Sequence, residues 1–192
     1  QAYHLLQMIH PSLLELTMVP GGSGTLILVS DYVEGSLRQR YQHYQSKGER
    51  GIPREELLDL LEPAARALDE LRSTYQVQHL ELLPRCVLLA DNEVFLADFG
   101  LAQLLWYPSG QQSKATARYS APELGRERPM ISPTCDQYSL AMIYQEMLTG
   151  YHAYKGRIAT APTCSVKALT KEDLARATAQ ANAGNGGPNL KA

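Results

Sequence analysis

Cysteine is scarce in this chain: Cys86, Cys135 and Cys164 are the only three in 192 residues. They are odd in number and far apart, which excludes a disulfide framework and a Cys-x-x-Cys metal knuckle, so a reducing, cytoplasmic setting is the expectation. Neither sign of charge dominates, with 18 basic against 20 acidic residues. That balance leaves no electrostatic footprint for nucleic acid or an anionic membrane. Also missing is any run of about 18 apolar residues, the length a membrane helix needs, or a signal-peptide pattern. There are no internal repeats. The first residue is Gln1 rather than methionine, and the chain is expected to belong to a longer polypeptide.

What is present suits one globular domain: 44% of the residues are hydrophobic, enough at this length to form a substantial core. Tyr3 to Ile9 reads as the end of a helix stopped by His10-Pro11. Leu13–Val19 and Thr25–Val29 read as a hairpin around Pro20-Gly21-Gly22-Ser23-Gly24. Asp31–Gly35 is a linker, Ser36–Gln45 a polar helix and Lys47–Gly51 a loop. Pro53 suits the first position of a long helix to about Thr74, with Glu55 and Glu56 in its first turn. Leu57, Leu60, Leu61, Ala64, Ala65, Leu68 and Leu71 mark its buried face. Pro63 inside it either bends it or divides it in two. Val87–Leu89 and Val94–Ala97 flank Asp91-Asn92 as a second hairpin. The segment after Asp98-Phe99-Gly100, to Glu123, has no sustained period and reads as an extended loop. Ser132-Pro133 opens a helix apolar on most sides, expected to be buried and capped by Gly150. A short helix from Thr170 to Ala183 and a solvated end complete the pattern.

Four blocks in this order carry more than any one alone. They are His79-Leu-Glu-Leu-Leu-Pro-Arg-Cys-Val-Leu-Leu89, Asp98-Phe-Gly100, Ala121-Pro-Glu123, and Asp136-Gln-Tyr-Ser-Leu-Ala running into Tyr144-Gln-Glu-Met-Leu-Thr-Gly150. Together they resemble a eukaryotic-type Ser/Thr protein kinase from about Leu5 to Gly156. The resemblance implies an α+β, protein-kinase-like fold: a mostly helical C-lobe with the last two strands of the N-lobe sheet. Residues 1–34 would end the N-lobe with the regulatory-helix end, two strands and the hinge. Residues 35–156 would form the C-lobe, with catalytic loop 79–89 and buried helix 133–149. Residues 157–192 would be a divergent, partly disordered tail. The glycine-rich loop, strand lysine and helix glutamate of the family would precede Gln1, leaving an unpaired sheet edge and an uncovered apolar face.

The resemblance also shows which charges have gone. Glu81 stands where the family has an aspartate base, one methylene further out. Leu83 replaces the lysine that neutralises the transferring phosphate, Cys86 the metal-binding asparagine, and Leu80 the arginine that holds a phosphorylated loop. A neutral thiol is a poor ligand for Mg²⁺. Retained are His79 and Phe99 as spine residues, Asp136 as the anchor of the catalytic loop, Thr116 as a buttress, and Asp98 for metal. Ser30, Asp31 and Val33 of the hinge, with Leu88 on the floor, resemble an adenine site. Glu123 would seek an arginine from the late helices, for which Arg176 is the sole candidate on a predicted tail helix. Read without the resemblance, Glu81 and Leu83 are loop and packing residues, Cys86 a buried small apolar group, and Asp98 a turn residue. Trp106 and Tyr107 are either a partner patch or a local clamp.

The expected function is a pseudokinase-like binding or regulatory module in a larger cytosolic signalling protein, with an unidentified protein as partner or substrate. ATP and Mg²⁺ follow from the resemblance alone, and weak or no nucleotide binding is expected. One alternative is an active but atypical Ser/Thr kinase using Glu81 as base and Asp98 with a single Mg²⁺. Another is a decaying product with no stable fold.

Overall fold

A computed structural model describes residues 10–22, 25–91, 93–98, 117–126 and 129–153. The helix read at Tyr3–Ile9, Phe99, Trp106, Tyr107, Thr116, Arg176 and the predicted tail helix lie outside them. Strand β1 (Leu16–Pro20) pairs antiparallel with β2 (Leu26–Ser30), placing Val19 opposite Ile27 and Thr17 opposite Val29. Residues directly opposite in an antiparallel pair share a face. Val19, Ile27 and Val29 therefore share one, and all three are exposed. The first strand is shorter than read: Leu13 is bridged singly to Leu96, and only from Leu16 does the ladder begin. Around that bridge the Leu14 amide donates to the Leu96 carbonyl and the Leu96 amide to the Ser12 carbonyl.

After the linker, Gly35–Ser36 forms a two-residue strand, β3, not foreseen in the sequence. It pairs with β4 (Val87–Ala90), which pairs in turn with β5 (Glu93–Leu96), both antiparallel. A Cβ at Gly35 would stand 2.6 Å from the Leu89 carbonyl oxygen, so only glycine allows this approach. Helix α1 (Leu37–Ser46) starts directly afterwards, its first turn capped by Ser36 Oγ accepting from the Gln39 amide. A clasp ties α1 to the next helix: Arg40 Nε donates to Glu56 Oε1 over 2.5 Å, and the Tyr44 hydroxyl donates to Glu56 Oε2.

Helix α2 runs unbroken from Arg54 to Tyr75 through Pro63. Pro53 is the cap rather than the first helical residue: its backbone is extended at ψ 139°, and its carbonyl accepts from the Leu57 amide. The buried face contains Leu57, Leu61, Ala64, Leu68 and Leu71, with Ala67 in addition, while Leu60 and Ala65 are only partly buried. Helix α3 (Cys135–Thr149) packs against α2 and ends at Gly150, whose φ of 77° is the left-handed cap. It starts two residues later than the sequence suggests. Most of it is buried or partly buried as expected, with Gln137 and Ala141 exposed. The main core joins Leu37, Leu57, Leu71, Leu82, Val87, Leu96, Ile143 and Met147. That core seats the loop 76–86 between α2, the β4–β5 hairpin and α3.

Candidate functional site

The loop between α2 and β4 is fixed at its centre by the first turn of α3. Asp136, itself buried, accepts the His79 amide at Oδ2 over 2.6 Å and the Leu80 amide at Oδ1 over 2.8 Å. Leu80 stands at φ 64°, a left-handed conformation that crowds a bulky side chain. His79 is fully buried and its Nε2 lies 3.0 Å from the Ala97 carbonyl, linking the loop to the end of β5. The loop, the hairpin and α3 therefore share one set of hydrogen bonds.

The three positions that the sequence reading marks as changed are all in the interior. Leu80 is 1% exposed, Leu83 5% and Cys86 2%. Leu83 belongs to the main core, whereas Leu80 packs with Ala121, Leu124 and Cys135 in a second apolar cluster flanked by Tyr138. The Cys86 thiol lies 3.9 Å from both Asp98 Oδ2 and the Glu81 carbonyl. Burial pushes this thiol up to about 11, and the nearby Asp98 charge adds to the rise. Cys86 is accordingly neutral at ordinary pH, a soft donor sealed from water. Glu81 is half-buried, and burial raises its carboxyl above the ordinary carboxylate range; Asp98 adds to this, while His79 and Arg85 oppose it. Asp98 itself is exposed, at φ 58°.

These residues fit Mg²⁺ poorly. Asp98 offers hard oxygens, but the group beside it is a buried neutral thiol, and among the described residues no three His, Cys, Asp or Glu side chains are placed to hold an ion together. Of the adenine-site candidates, Ser30 and Asp31 are exposed, and Val33 and Leu88 partly buried.

Two networks escaped the sequence reading. Glu123 is reached by the Ser132 hydroxyl, donating to Oε1 over 2.6 Å, and by the Cys135 thiol at 3.6 Å. Further along α3, Glu146 accepts from the Tyr119 hydroxyl over 2.6 Å and lies 3.4 Å from an Arg118 nitrogen; His152 Nε2 lies 2.8 Å from the Arg118 carbonyl. Burial drives the Tyr119 phenol well above its ordinary range, and Glu146 drives it further. For Glu146 the signal was available: a glutamate in an apolar helix must find donors if it is buried.

Known proteins with similar sequences agree with this architecture. Residues 2–181 match the protein kinase domain, past Gly156 where the motifs stop. The serine/threonine-protein kinase SSN3 of Pyricularia oryzae is 24% identical over 156 residues, which cover 78% of this chain and 31% of that protein. For ssn3 of Aspergillus fumigatus the identity is 26%, covering 78% and 36%. PknF of Mycobacterium tuberculosis is 32% identical over 143 residues, covering 66% and 28%. The chain thus spans about a third of the length of these relatives. Among the described residues no helix is long and apolar enough to cross a membrane. With a domain match across nearly its whole length and an α+β fold whose loop, hairpin and central helix interlock, this chain belongs to the protein kinase family.

Proposed function

We propose that this chain is a degenerate kinase domain, a pseudokinase that serves as a binding or regulatory module within a larger signalling protein. One observation supports the reading: Leu83, Cys86 and Leu80, which by family resemblance stand where catalysis needs a cation, a metal-binding amide and a loop-binding arginine, are all buried. Electrostatic stabilisation of a transferring phosphate requires charge aimed at it, and a core leucine supplies none. Meanwhile Asp136 keeps the loop in shape, which favours a scaffold retained for another use. Phe99 and Thr116 belong to that retained set by family resemblance.

Glu81 and Asp98 support the rival reading of an active, atypical Ser/Thr kinase. The specific observation is the half-buried Glu81 carboxyl, whose proton affinity is raised in the direction a general base requires. A radiolabelled phosphate-transfer assay on the full-length parent protein, with Asp98→Ala as control, separates the two. No transfer above the level of the control is expected; transfer that vanishes in the control would establish the rival. Melting with ATP, with and without Mg²⁺, is expected to show no Mg²⁺-dependent shift.

A further inference from the structure

The stretch leading into α3 carries a hydroxyl that this function does not use. Ser132 lies in irregular backbone and is followed by Pro133. Proline removes the next backbone N–H and biases the preceding residue to extended backbone, the form in which an enzyme cleft takes a peptide. Met130, Ile131, Pro133 and Thr134 around it are exposed. Ser132 itself is half-buried, and α3 begins three residues on, at Cys135. Yet the same hydroxyl is a structural donor: it holds Glu123 Oε1 at 2.6 Å, while its own amide donates to Cys135 Sγ over 3.3 Å. The Glu123 carbonyl accepts the Met130 amide over 3.1 Å, so the stretch and the turn at Pro122–Gly125 are tied at two points.

We propose that Ser132 is a phosphorylation site for a proline-directed protein kinase, and that its phosphate expels Glu123 and loosens the Ala121–Leu124 turn from α3. In the modifying step a bond forms between Ser132 Oγ and the γ-phosphorus of a nucleoside triphosphate. The bond from that phosphorus to the β–γ bridging oxygen breaks, the nucleoside diphosphate leaves, and the hydroxyl proton passes to the base of the modifying enzyme. The product carries about −1.5 to −2 charges at pH 7 and has lost the donor that Glu123 used. Two anions then face each other where one hydrogen bond stood. Asp136, in the first turn of α3, adds to the repulsion, whereas the start of that helix, which has no side-chain cap, draws the phosphate toward it. Ala121 and Leu124 pack on Leu80, so loosening the turn uncovers the loop that Asp136 holds. The inference stands whichever way the phosphate-transfer assay on the parent protein falls.

The test treats the whole chain with ATP and a proline-directed Ser/Thr kinase, and locates phosphate by intact mass and peptide mapping. One phosphate at Ser132 is expected, absent from Ser132→Ala and retained in Thr134→Ala. The phosphorylated chain should melt lower by about 2–4 °C or more. In Glu123→Gln the neutral amide has no charge to be repelled, and the shift on phosphorylation should fall at least about twofold. Phosphate placed only on Thr134, no phosphate on the folded chain, or an equal shift in wild type and Glu123→Gln would each overturn the proposal.

Discussion

The Leu80 amide donates to Asp136 Oδ1 over 2.8 Å while the Leu80 backbone stands at φ 64°. A non-glycine residue in that region is strained by about 1–3 kcal/mol and persists only where its surroundings over-determine it. Here a carboxylate from a separate helix takes this amide and that of His79, and the Leu80 side chain is sealed between Ala121, Leu124 and Cys135. Polar anchor and apolar plug act on the same residue, one on its backbone and the other on its side chain.

Removing the anchor should therefore release the loop. Asp136→Ala leaves two buried amides without an acceptor and is expected to lower stability by about 2–5 kcal/mol, read as a shift in urea midpoint. Asp136→Asn keeps one acceptor oxygen and should lose about half as much. Equal losses in the two variants would mean that the carboxylate acts by its charge and not by its pair of oxygens.

A second tight point lies where the loop before α2 crosses the end of α3. The Ile52 amide donates to the Met147 carbonyl over 2.8 Å, and a Cβ at Gly51 would overlap the Met147 and Leu148 carbonyl oxygens. At Gly150, with φ 77°, a Cβ would overlap the Arg50 carbonyl oxygen. Gly48 has φ 84° but open space around it. Alanine at Gly51 or Gly150 should cost about 3 kcal/mol or more, and at Gly48 about 1 kcal/mol, through its backbone alone. Thermal melts of the three variants rank them, and a Gly48 variant as unstable as the other two would sink this reading.

Alkaline pH should weaken the fold through Tyr119. Burial, and then Glu146, raise its folded-state proton affinity above that of the unfolded chain, where tyrosine titrates near pH 10. Below about pH 10 the phenol holds its proton in both states and the stability it contributes is fully present. Above that the unfolded state ionises first, and stability falls as pH climbs toward the folded value. Tyr41 is raised in the same sense, by burial first. Tyr119→Phe should be less stable at pH 7 by about 1–3 kcal/mol, because Glu146 loses a donor, yet decline less steeply between pH 9 and 11. Parallel curves for the two proteins would refute the assignment.

Period and punctuation made the main elements legible. Leucines at helical spacing located α2, and its buried face explains why Pro63 does not divide it: six buried side chains hold the helix across the one hydrogen bond that proline forfeits. Strand β3 was illegible because two residues carry no period, and its pairing exists only once Leu88 and Leu89 are in place. The positive φ at Leu80 was invisible too, since leucine is the wrong residue for it and the cause lies 56 positions away at Asp136. The site's blocks could be read from their order, and the burial of Leu80, Leu83 and Cys86 agrees with their apolar character. The bond between Ser132 and Glu123 had no sequence signal, because either residue alone is ordinary in a surface turn.

A sharp test of the proposed loss is to place at Leu83 the lysine that the family resemblance assigns to that position. Leu83 is 5% exposed in the main core, beside Leu82 and Cys86. A lysine there must either bury an ammonium or pull the loop outward, and each route discards apolar burial as well. Leu83→Lys is thus expected to destabilise the chain by about 3–5 kcal/mol, measured by chemical denaturation, with Leu83→Met within about 1.5 kcal/mol of wild type. Had the site merely lost a functional lysine while keeping its shape, the cation would be accommodated at the surface and stability would barely change. A loss below about 1 kcal/mol would show that the pocket for the cation survives, and would count against the pseudokinase reading. The expected larger loss would mean that leucine has become part of the interior on which the loop is built.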